Sequence, residues 1–112
     1  MNLHKAIARH CLAEVPKEAC GVIVGDEAIK CVNESDTPEE TFILSAEAYL
    51  QYLPDTIFHS HPRGKSGFSN HDLAVAANME LTSYVYVVED DRLEKWTVDE
   101  GLTIYSNILK DS

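Results

Sequence analysis

The strongest constraint on this chain is a pair of histidines one residue apart. His59-Ser60-His61 closes a run that includes Ile57 and Phe58, and Pro62 follows it. A strand over residues 55–61 has a side-chain period of two, so His59 and His61 leave it on the same face. Two imidazoles on one face need partners, because a buried polar ring with none costs free energy. A glycine-bearing loop then leads to Ser69-Asn70-His71-Asp72. Zinc accepts histidine nitrogen and carboxylate oxygen in tetrahedral geometry, and a catalytic site leaves one position for water. His59, His61 and Asp72 meet that count.

Part of this stretch has a purely structural reading. Ser69-x-x-Asp72 ahead of Leu73, Val75, Ala76 and Ala77 fits a capping box that opens a helix over residues 70–80. Capping accounts for Ser69 and Asp72 but not for the paired histidines. Together the parts resemble the core signature of the JAMM (MPN+) metallopeptidases: His-Ser-His-Pro, a spacer to Phe68, then Ser69 and Asp72. Glu18-Ala19-Cys20-Gly21 resembles the upstream glutamate stretch of the same family. The resemblance implies one zinc ion per chain held by His59, His61 and Asp72. It also implies Glu18 as general base and Ser69 as an assisting hydroxyl, in hydrolysis of a peptide or isopeptide bond.

The remaining chain is consistent with one soluble domain over residues 1–112. An apolar share of 45% suits a globular core, and no segment approaches the length of a membrane span. Residues 1–5 lack the apolar core of a signal peptide. Three cysteines, Cys11, Cys20 and Cys31, make an odd count with no close metal-binding pair, which favours a reducing, cytoplasmic setting. For a phage-encoded chain that setting is the host cytoplasm or the virion. A net charge of −10 opposes binding to nucleic acid, which needs clustered cations. The partner expected is a protein or peptide substrate. The acidic clusters at 34–40 and 89–91 read as solvated turns.

In chain order, Leu3, Ile7 and Cys11, with Ala6 and Ala13, predict an amphipathic helix over 2–13 that Pro16 stops, with His4 and His10 on its surface. Residues 20–25 read as a buried strand, which Gly25-Asp26 turns into a returning strand over 28–32. Cys20 with a histidine base would make a cysteine nucleophile, but two same-face histidines and a carboxylate suit a metal better. Cys31-x-Asn33, Pro38, Phe42-x-Leu44-Ser45 and Glu47-x-Tyr49 resemble, at scattered positions, the JAMM half of lambdoid phage tail-assembly proteins. That resemblance implies phage tail proteins as partners. Ser45 caps a short helix through Gln51, with Tyr49 and Leu53 on its buried side and Pro54 after it.

Residues 63–67 read as a flexible basic loop, and their order lacks the full spacing of a phosphate-binding loop. His71 turns away from the Asp72 face of its helix. Ala74, Ala76 and Ala77 allow that helix to approach a sheet. Residues 83–88 and 92–98 form a hairpin, Trp96 belongs to the core or a pocket wall, and the tail adds an edge strand or short helix. This order predicts an α+β fold, a mixed sheet flanked by helices without a regular βαβ repeat. The JAMM resemblance implies the same single-domain MPN-like, cytidine-deaminase-like architecture, with the metal at the sheet edge. A catalytically silent assembly module of this fold, and trimming of a ubiquitin-like or sulfur-carrier protein tail, are the alternatives. A zinc deaminase would need His-x-Glu and Pro-Cys-x-x-Cys, which the chain lacks.

Overall fold

The computed structural model describes residues 2–110. Helix α1, Leu3–Glu14, starts at Asn2, whose side chain accepts from the His4 N–H, and ends at Val15 ahead of a cis Val15–Pro16 bond. Strands β1, Cys20–Val24, and β2, Glu27–Cys31, form the expected hairpin, with Gly25 at a φ of +60° in the turn. Helix α2, Ala46–Tyr52, is capped by Ser45. Strand β3, Thr56–His61, carries the histidine pair, and α3, Asn70–Met79, follows the basic loop. Strands β4, Thr82–Val87, β5, Arg92–Thr97, and β6, Gly101–Tyr105, complete the described elements.

The described strands form one six-stranded mixed sheet in the order β2-β1-β3-β4-β5-β6. Only β3 and β4 run parallel, with α3 as their crossover, and the other pairs are antiparallel. This is the α+β architecture expected from the element order. Strand alternation divides β3 between two cores. Phe58 joins Ile7, Cys11, Tyr84 and Leu93 beneath α1, while Ile57 joins Val22 and Leu81 on the opposite face. His59 and His61 share the Ile57 face, away from α1. A side chain on Gly21, opposite Phe58 in the β1–β3 register, would collide with the Phe58 ring and the Ile29 carbonyl. Glycine at that position therefore lets the ring of Phe58 lie flat against β1. Among the described residues no helix is long and apolar enough to cross a membrane.

Several local expectations change once the elements pack. The histidines stand at the end of an interior strand, the third of six, rather than at a sheet edge. His4 and His10 are half-buried instead of surface residues: His4 packs on Tyr84 and Tyr105, and His10 stacks on Phe58 and reaches the Ala28 carbonyl. Helical period alone cannot register that a sheet lies under the flank of the stripe. Ala13 is exposed and Ala8 takes a core place. Leu53 takes a left-handed φ of 44° as the α2 C-cap, which turns it outward to 71% exposure, and Tyr52 packs inward instead. Of the three alanines of α3 only Ala76 is buried.

Trp96 is half-buried on β5, outside both core clusters and outside the cleft described below. Glu89–Asp91 does not simply solvate a turn. Asp91 is buried, accepts from the Tyr86 hydroxyl at 2.6 Å, and accepts from the main chain of Leu109 and Lys110, so it anchors the tail after β6. The basic loop is likewise tied down, by contacts that belong to the site.

Candidate metal centre

Glu18 lies in the extended segment that enters β1, His59 and His61 close β3, and Asp72 sits in the first turn of α3. One small volume receives them all. The Nε2 atoms of His59 and His61 each stand 3.5 Å from the same Asp72 oxygen, Oδ2. Glu18, His59 and His61 also offer ligand atoms that lie within 4.8 Å of one another. Zinc bonds of about 2.0–2.1 Å in a tetrahedron separate donor atoms by roughly 3.4 Å, which is the spacing between Asp72 and each imidazole. A separation of 3.5 Å is long for a hydrogen bond and right for two ligands of one ion.

His59 supplies the sharpest observation. It is 2% exposed, and neither ring nitrogen has a hydrogen-bond partner among the described residues. A buried imidazole with two unsatisfied nitrogens is costly, by roughly 1–3 kcal/mol per polar group. An ion beside Nε2 would remove one of those deficits. Phe42 stacks on the ring at 4.5 Å and Phe68 meets it edge-on at 6.2 Å, so His59 is clamped in orientation.

His61 is oriented differently. Its Nδ1 lies 3.0 Å from the Ser66 carbonyl, which can only accept, so in the neutral ring Nδ1 carries the proton and the Nε2 lone pair faces Asp72. The loop bearing Ser66 is held from β5. Arg92 donates to the Lys65 carbonyl at 2.6 Å, and the buried Glu94 accepts from the Phe68 N–H at 3.1 Å and pairs with Arg92 at 2.9 Å. Arg92 also pairs with Asp90. Gly67 passes so close to the Glu94 carboxylate that a Cβ would overlap it. Arg63 pairs with Glu39 across the loop, at 3.3 Å.

Asp72 caps α3 and faces both histidines with the same carboxylate. Its Oδ2 accepts from the Ser69 N–H at 3.0 Å, while Ser69 Oγ accepts from the Asp72 N–H at 3.0 Å, completing the capping box. The cap thereby fixes the carboxylate that faces the histidines. Burial alone would raise the Asp72 pKa, but its contacts with His59 and His61 outweigh that and hold it well below the usual carboxylate range. Burial keeps His59 low and hence neutral. For His61 burial also pulls downward, yet the contacts with Asp72 and the Ser66 carbonyl, aided by Glu18, carry its pKa up.

Glu18 is 7% exposed, and burial, reinforced by the negative Asp72 and opposed by His61, pushes its carboxyl to about 7. A carboxyl poised near neutrality suits proton transfer. Two connections place it. Ser60, between the histidines, accepts from the Ala19 N–H through Oγ at 2.8 Å and donates its own N–H to the Ala19 carbonyl at 3.1 Å. Asn33 donates to the carbonyls of Glu18, Pro38 and Thr41 and accepts from the N–H groups of Ser35 and Ile43. Part of the acidic 34–40 stretch is thus folded around one amide instead of being loose.

His71 is exposed and lies at the same cleft, outside the ligand cluster. Cys20 is buried with its thiol pushed up to about 12, which leaves no thiolate for nucleophilic attack near neutrality. The roles of Ser60, Asn33, Phe42, Arg92 and Glu94 escaped the sequence reading. Ser60 carried a signal in its place inside the histidine pair, and Asn33 and Phe42 stood among the scattered positions of the second resemblance.

Comparison with known proteins speaks to the fold and the family. No curated protein matches the chain. The chain resembles the solution structure of protein DSY2949 from Desulfitobacterium hafniense, with a TM-score of 0.65 over 91% of this chain and 84% of that one, at 19% identity. That likeness concerns the fold. Residues 1–99 match the family described as prokaryotic homologs of the JAB domain. With the histidine strand, the capped aspartate and the first five strands of the sheet inside the matched span, the chain belongs to that family.

Proposed function

We propose that the chain is a zinc-dependent peptidase of the JAMM type, hydrolysing a peptide or isopeptide bond. The observation that carries this reading is the buried, unpartnered His59 facing an Asp72 oxygen that His61 also faces at the same 3.5 Å. Two nitrogens and a carboxylate oxygen are a donor set that zinc favours. His59, His61 and Asp72 would hold the ion. When bound, zinc supplies Lewis acidity, polarising a carbonyl and lowering the pKa of water toward about 7.

The protein's own residues do the rest. Glu18, held near neutrality by burial, takes a proton from the attacking water and returns it to the leaving amine. Ser69 Oγ accepts from the Asp72 N–H, which leaves its own hydrogen free to donate to a developing oxyanion at the rim of the cleft. Phe42 and Phe68 shield His59 from bulk water. A silent assembly module would not require two imidazole nitrogens to face one carboxylate oxygen. The scattered resemblance over residues 31–49 favours a phage tail protein as substrate, and trimming of a ubiquitin-like or sulfur-carrier tail would use the same chemistry.

Elemental analysis of protein equilibrated with zinc and then desalted tests this reading. About one zinc per chain is expected, with His59→Ala and Asp72→Ala both near zero. A wild-type content near zero would sink the proposal.

A further inference from the structure

Glu18, His59, His61 and Asp72 line a cleft of about 540 Å³ that extends beyond them. Its far walls come from three places. Phe42 and Ile43 belong to the segment between β2 and α2, Ile57 and Ser83 to adjacent strands, and Val75 and Ala76 to α3. Ile43 is 54% and Val75 38% exposed, so the opening presents apolar surface to water. Apart from Phe42, which stacks on His59, these side chains make no contact described above with the cluster. A smaller groove of about 340 Å³ adjoins it, lined by His61 and Pro62 and edged by Glu39, Glu40 and Arg63. Glu18, Glu40 and His61 line both. Glu18 and His61 therefore border both an apolar trough and a charged groove.

We propose that the trough bounded by Phe42, Ile43, Ile57 and Val75 is a specificity subsite for a bulky, uncharged apolar side chain next to the scissile bond of a peptide substrate. The proposal rests on the peptidase reading and deepens it by naming the substrate class. Its physical basis is the match between lining and occupant. The acidic groups of the cleft are Glu18, Glu40 and Asp72, and no lysine or arginine lines it, so an acidic side chain seated among the apolar walls would find no lysine or arginine to pair with. A glycine would leave Ile43 and Val75 wet. A leucine, methionine or phenylalanine would cover them, and burial of such a side chain supports discrimination of about 10- to 100-fold over glycine. The adjoining charged groove offers no comparable apolar wall.

The test uses the full-length, zinc-loaded protein and a library of blocked peptides, with cleavage sites read by mass spectrometry. Cleavage beside leucine, methionine or phenylalanine is expected at about 10–100 times the kcat/KM found beside glycine or aspartate at the same position. Val75→Asp and, independently, Ile43→Asp should lower kcat/KM for the apolar substrates at least tenfold with zinc content unchanged. Both positions are partly exposed, so the substitutions are made where folding tolerates them. A binding arm separates this proposal from the peptidase reading. N-acetyl-leucine amide titrated into isotopically labelled protein should shift the amide resonances of Val75, Ala76 and Ser83, and N-acetyl-glycine amide should not. Leucine-selective shifts without any cleavage would uphold the subsite and remove the peptidase. Cleavage without side-chain preference, equal shifts with both probes, or no shifts with either would overturn the subsite.

Discussion

Replacing Ser60 by alanine should destabilise the protein by an amount set by one hydrogen bond. Ser60 and Ala19 are both buried, and the hydroxyl is the acceptor found for the Ala19 N–H, at 2.8 Å. Removing the oxygen leaves that donor buried and unsatisfied, since a methyl group cannot accept and the packed interior leaves little space for water. Such a loss costs about 1–3 kcal/mol. For a chain of 112 residues the unfolding entropy near the midpoint is roughly 0.24 kcal/mol/K, so Tm should fall by about 4–13 °C. Circular-dichroism melting in chelator, with urea unfolding to confirm an unchanged slope, measures this without metal or substrate. The same bond holds the residue after Glu18 against β3, so the zinc-loaded variant should also lose peptidase kcat while keeping its zinc. A fall in Tm below about 2 °C with an unchanged slope would refute the view that this hydroxyl ties the Glu18 segment to the histidine strand.

Glu18→Gln should retain zinc and fold normally while peptidase activity falls about 10²–10⁴-fold, and release of zinc would instead make Glu18 a ligand. Gly67→Ala should weaken zinc binding about 10–100-fold in a competition assay, because the new methyl displaces Glu94 and with it the loop whose Ser66 carbonyl orients His61; unchanged affinity would disconnect β5 from the metal centre. The pH dependence of metal-free stability has a definite sign. Burial raises the Glu18 carboxyl from 4.5 to about 7, so its contribution is present below the unfolded value and lost as pH rises through about 7. Wild type should therefore lose stability relative to Glu18→Gln between about pH 4.5 and 7 when melted in chelator, and a flat difference would show that Glu18 is not destabilised by its charge.

What could be read from the sequence was what local physics controls. The period of two sent His59 and His61 to one face, because strand geometry leaves no alternative. The Ser69 to Asp72 spacing predicted the α3 cap within a single turn, and Gly25-Asp26 predicted the first hairpin. Apolar stripes and β-branched runs were enough for the α+β class. The JAMM resemblance rested on those same local motifs, and it supplied the pairing of Glu18 with residues more than forty positions away.

Tertiary structure decided what depends on strands and loops meeting across the sheet. Asn33 looks like any turn residue until three carbonyls and two N–H groups converge on it. Arg92 and Glu94 read as charges on an ordinary hairpin, yet they hold a loop that the sequence read as flexible. His4 and His10 left the surface because the sheet lies under the flank of α1, and Leu53 left the interior because α2 ended in a left-handed cap. Asp72 is the clearest division: its spacing from Ser69 determined the cap, but only the approach of α3 to the end of β3 aimed the same oxygen at two imidazoles. Local geometry follows from backbone dihedrals and side-chain period within a few residues. Long-range contacts follow from how whole faces bury, and no short stretch of sequence contains that information.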